Sequence, residues 1–175
     1  MKRALPVFIL LTFASFAIAQ HQHPAPASST AQAAHHAFLE QERQAIQRGE
    51  GFGMAMPADM AGYPGPKHVL ELKDGLKLTP AQVASMEKLF SDMRAKAIDR
   101  GREVLAAEDR LGQMFREGRS ADELREESFR IASLRAELRW VHLNTHLAAR
   151  KVLTPDQLAT YMALRYGAEG QPHRE

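Results

Sequence analysis

His142 and His146 stand four residues apart. On a helix that spacing puts both imidazoles on one face, where they can share a transition metal. Two imidazoles are an incomplete ligand set. Candidate partners are His35, His36 and Glu40 from an N-terminal helical stretch, and His68 from a later segment. Zn, Ni, Co and Cu all accept such donors, so a divalent transition metal is the implied cofactor. The competing reading is a pair of interface histidines hydrogen-bonded to carboxylates. Met54, Met56 and Met60 lie near His68 in sequence. Their thioethers can bind Cu(I), or they can plug gaps in a core. His21, His23 and His173 fall in tail-like sequence and read as solvated.

The chain has 175 residues and no cysteine. That excludes disulfides, thiolate metal sites, iron–sulfur clusters and thiol catalysis. Nothing forms a nucleophile elbow, a phosphate loop or a paired-carboxylate motif, so no enzymatic activity is expected. Aromatic residues make up 7%, too few for a base-stacking platform, and no nucleic-acid partner is expected.

The formal charge is +2, from 23 Lys+Arg and 21 Asp+Glu. Lys2 and Arg3 open an apolar stretch that ends Ala17-Ile18-Ala19. This pattern predicts a secretory signal peptide over residues 1–19, and hence a periplasmic protein. Cleavage after Ala19 leaves 156 residues with 21 basic and 21 acidic side chains, so the mature chain has no overall basic field. The apolar stretch is short for a bilayer span and no second one follows, so no membrane span is expected after cleavage.

The elements that must position the histidines are helical. Residues 20–32 form a His/Pro/Ala/Ser tail, expected to be disordered, as are residues 168–175. One helical domain is expected over 33–167. Its first helix spans 33–48, residues 54–66 form an irregular Pro/Gly-rich segment, and a short helix covers 67–73. Leu78-Thr79-Pro80-Ala81-Gln82 then marks a helix start. Thr79 is the N-cap, Pro80 takes the first helical position, and Gln82 completes a capping box. Leu153-Thr154-Pro155-Asp156-Gln157 repeats the pattern 75 residues later, with Thr154, Pro155 and Gln157 in the same roles. Leu78 and Leu153 begin hydrophobic staples with Val83 and Leu158. A third capping box starts at Ser120.

Long helices follow over 80–117 and 121–150, and a shorter one over 155–166. The first long helix is expected to bend at Arg100-Gly101. About 38 residues at a rise of ~1.5 Å make roughly 57 Å, longer than a small domain is wide. The fold class is therefore all-α: an elongated antiparallel hairpin of two long helices, flanked by short ones. The second long helix carries apolar residues on two sides, with Trp140, Leu143 and Leu147 opposite Leu138, Val141 and Thr145. A helix apolar on two sides is central or lies in an interface, and a homodimer is expected.

The paired LTPAQ and LTPDQ motifs, behind a signal peptide in an all-helical chain, resemble the LTXXQ family of periplasmic proteins. This is the Spy/CpxP group, related to ZraP- and CnrX-type metal-responsive proteins. The segment GYPGPKHVLEL resembles a heavy-metal resistance subgroup. The resemblance implies a hairpin dimerised into a cradle. It also implies an ATP-independent envelope-stress chaperone whose partners are unfolded periplasmic proteins or an envelope sensor protein. The alternative is a periplasmic heavy-metal sensor or resistance protein using the His142/His146 pair. The many arginines of the long helices read either as a mixed solvated face or as a concave surface for such partners.

Overall fold

The structure is a computed structural model that describes residues 29–167. The expected signal peptide, most of the expected N-terminal tail and the expected C-terminal tail lie outside the described residues. Six helices are described: α1 (Ser29–Gln47), α2 (Met56–Met60), α3 (Pro66–Glu71), α4 (Pro80–Arg116), α5 (Ala121–Val152) and α6 (Pro155–Tyr166). No strand occurs among the described residues, and the fold is all-α. No helix among them is long and apolar enough to cross a membrane.

The three capping boxes form as the sequence predicts. The Thr79 hydroxyl accepts from the Gln82 amide at 3.2 Å, while the Gln82 side chain accepts from the Thr79 amide at 3.0 Å. Thr154 and Gln157 repeat this at 3.2 and 3.0 Å. Ser120 and Glu123 start α5 the same way. Each reciprocal pair satisfies two backbone donors that a helix start otherwise leaves without partners. Between α4 and α5 the chain turns at Gly118, whose φ of +66° suits glycine. The two long helices then pack antiparallel and form the most extensive helix–helix contact of the molecule.

Two expectations need correction. Residues 29–32, expected in the disordered tail, already belong to α1, because the Ala31-Gln32-Ala33-Ala34 run favours helix. The segment 54–66 is not irregular throughout. Pro57 sits at the start of α2 and seeds one short helix there. At Arg100-Gly101 α4 runs on as one continuous helix. Gly101 serves close approach: a Cβ there would lie 2.7 Å from Cγ2 of Ile46, so glycine lets α1 dock on α4.

Two hydrophobic cores occupy the hairpin. The outer core joins Ile46, Ala97, Val104, Ala107, Ile131, Leu134 and Leu138. The basal core joins Val69, Leu76, Met86, Ala149, Leu153, Tyr161 and Met162. On α5 the inward positions run Glu127, Ile131, Leu134, Leu138, His142, Thr145 and Ala149. Past Glu127, the stripe is apolar on either side of the polar pair His142 and Thr145. Spacing alone favours Val141 and Ala148 for that stripe, but His142 and Ala149 are the buried residues.

Candidate functional site

The polar break in the α5 stripe opens onto a cleft of about 650 Å³. His142 and His146 reach it from α5, Phe90 and Met93 from α4, Met56 and Met60 from α2, and His68 from α3. His142 is only 3% exposed, and its Nε2 has no hydrogen-bond partner. It is the one buried side-chain nitrogen or oxygen among the described residues left without one. An orphaned buried polar atom costs about 1–3 kcal/mol, so the fold tolerates a sizeable local penalty here. Burial, then the nearby His146 charge, pushes the His142 pKa down to about 4. The ring is neutral at pH 7, the form that binds metal.

His146 lies one turn further along and is oriented differently. Its Nδ1 lies 2.6 Å from the Tyr63 carbonyl oxygen. A carbonyl only accepts, so Nδ1 donates, and in the neutral ring the lone pair lies on Nε2. Metal-binding histidines are held in this way, by a backbone carbonyl on the other ring nitrogen. The segment that supplies the carbonyl is Gly62-Tyr63-Pro64-Gly65-Pro66. Arg150 clamps it, donating to the Gly62 carbonyl and lying 4.6 Å from the centre of the Tyr63 ring. Glycine allows close approach to both imidazoles. A Cβ on Gly65 would lie 2.8 Å from His146 Nε2, and one on Gly51 would lie 3.2 Å from His142 Nδ1.

The other predicted partners are not available in the same way. His68 lines the cleft, but its Nδ1 donates to Glu71 at 2.9 Å and its Nε2 accepts from Arg165 at 3.0 Å. His35, His36 and Glu40 stand exposed on α1 and do not line the cleft. Only the far end of α1, at Ala45 and Ile46, is buried. Among the described residues no three His, Asp or Glu side chains form a ready-made metal cage. The alternative of carboxylate-bonded histidines does not describe the pair either. His146 bonds a backbone carbonyl and His142 Nε2 bonds nothing. The three neighbouring methionines divide: Met54 packs against the outer core, while Met56 and Met60 line the cleft.

A buried carboxylate closes the basal side of the cleft. Asp59 is 5% exposed and accepts hydrogen bonds from Tyr161, at 2.7 Å, and from Tyr166. Burial works to raise its pKa, but these two hydroxyls, aided by His146 and His68, outweigh it and hold the carboxyl low. Burial and the Asp59 bond drive the Tyr161 hydroxyl far upward. No sequence motif announces this cluster. Asp59 lies more than 100 residues from both tyrosines in the chain.

A second surface lies on α5, where the second apolar side predicted from sequence is open to solvent. Trp140 is 56% and Leu147 40% exposed. Trp140 borders a shallow groove of about 290 Å³ with Leu89, Lys96, Asn144 and Ala148. Phe115 and Phe129, near the hairpin turn, are each 64% exposed. The arginines around these residues are largely paired. Arg100 meets Glu103 and Glu137, Arg135 bridges Glu42 and Glu108, and Arg110 and Arg130 flank buried Glu127.

Together the fold and the cleft define an all-α hairpin protein with two closed cores and an imidazole-lined break between them. Comparison with protein-family models, with curated proteins and with solved structures finds no match to the chain.

Proposed function

We propose that this protein is an exported, ATP-independent stress chaperone of the Spy/CpxP type that transiently binds unfolded chains. The carrying observation is the exposed apolar surface of the hairpin, above all Trp140, which borders the α5 groove, and Leu147 on the same helix. Apolar surface left open between charged side chains suits weak contact with many sequences. The LTPAQ and LTPDQ motifs and the leader-like N-terminus support the same reading. The proposal includes a homodimer, whose second copy extends the surface. Light scattering of an aggregating client protein tests it. The expected result is suppression of aggregation, weakened by Trp140→Ser/Leu147→Ser. No suppression at several-fold molar excess rejects the proposal.

A second reading is favoured by one observation, the buried and otherwise unbonded His142 imidazole on the wall of a cleft that also holds His146. In this reading the protein senses or sequesters a transition metal (Zn, Ni, Co or Cu) at these imidazoles. Titration of each ion into metal-free protein tests it. Binding unchanged in a folded His142→Ala/His146→Ala variant removes both residues from the site.

A further inference from the structure

The cleft contains more than the two histidines, and its remaining donors are of one chemical kind. Its carboxylates are already engaged. Glu50 accepts from Arg48 at 2.9 and 3.0 Å, and Asp59 is held by Tyr161 and Tyr166. Both ring nitrogens of His68 are likewise occupied. What remains is imidazole nitrogen from His142 and His146, and thioether sulfur from Met56, Met60 and Met93. Met93 is nearly buried, at 8% exposure. Met56 and Met60 are about 59% and 58% exposed, four residues apart on α2, and therefore on one helix face at the mouth.

We infer that this cleft binds a soft monovalent ion, Cu(I), through the His142 imidazole and the thioethers of Met93, Met56 and Met60. The inference rests on the metal reading above and names the ion. Imidazole and thioether donors without free carboxylate oxygen match soft ions rather than hard divalent ones. The absence of cysteine fits the same chemistry. Thioethers cannot be lost to disulfides in an oxidising compartment.

The test titrates metal-free protein with bathocuproine-buffered Cu(I) under anaerobic conditions, and separately with Zn(II), Ni(II) and Co(II). One Cu(I) per chain is expected, bound more tightly than any of the divalent ions. X-ray absorption at the copper edge should show both sulfur and nitrogen ligands. Met→Leu changes conserve volume, so Met93→Leu and Met56→Leu/Met60→Leu should stay folded. Each should weaken Cu(I) by at least about tenfold, a loss of ~1.4 kcal/mol or more. Divalent ions binding as tightly as Cu(I), or Met→Leu variants without effect, overturn the soft-ion inference and leave the metal reading standing. If no ion binds at all, both fall.

Discussion

The base of the hairpin and its midsection are built from the same two helices to opposite standards. At the base every strong polar group is satisfied. Gln82 and Gln157, the last residues of the two LTxxQ motifs, exchange amide hydrogen bonds at 2.8 and 3.1 Å. Their Nε2 atoms also donate to the Val152 and Leu76 carbonyls. Tyr161 is fully buried with its hydroxyl bonded to Asp59. Two turns up α5, His142 is just as buried and its Nε2 is left alone. One region is optimised for closure. The other keeps a destabilising nitrogen, which is the usual mark of a group retained for binding.

Variants can break or sharpen that contrast. The largest effect is expected at the base. Met86 is fully buried, and Met86→Ala should cost about 2–5 kcal/mol in urea unfolding. Lowering pH should act next, and at the midsection. The folded pKa of His142 is depressed from 6.5 to about 4. Its contribution is therefore complete above pH ~6.5 and is lost as pH falls toward 4, by roughly 3 kcal/mol. Asp59, also held below its usual value, adds a further loss in more acidic solution. Stability curves from pH 7 to 4 on metal-free protein check the slope, and His142→Leu should abolish the His142 part of it.

That same variant should move neutral-pH stability the other way. Replacing an orphaned polar side chain with an apolar one is expected to stabilise by about 1–2 kcal/mol, while removing any metal binding. A loss of stability would show that His142 is bonded in solution, and the contrast would disappear. The smallest effect belongs to the amide pair. Gln82→Ala and Gln157→Ala should each cost about 1 kcal/mol. Their double variant should cost less than the sum, because the two side chains share one interaction.

The base was legible in sequence where its signals are local. Thr79-Pro80 and Thr154-Pro155 state a cap within a few residues, and α4, α5 and α6 begin where those caps predict. Pairing of the two motif glutamines was not legible, because it joins residues 75 apart. The cleft was half legible. The spacing of His142 and His146 puts them on one face, and they do line one cleft. It says nothing of which ring is buried, or of the Tyr63 carbonyl 83 residues away that orients one of them. His35, His36 and Glu40 were chosen by residue type, and α1 docks through Ala45 and Ile46, which leaves them outside. Met54 and Met56 look equivalent in sequence, but α2 begins between them and sends one to the core and one to the cleft.

The glutamine pair also bears on the order in which the chain closes. The α4–α5 hairpin joins neighbours across a short turn, whereas Gln82 and Gln157 must close a loop of 75 residues. Local contacts form early and distant ones late. The hairpin can zip from Gly118 toward its open ends before α6 arrives. Gln157 is synthesised after both long helices, so the fastening that seals the base waits for α6 to emerge. A chain ending before Thr154 should keep the hairpin and lose the clasp.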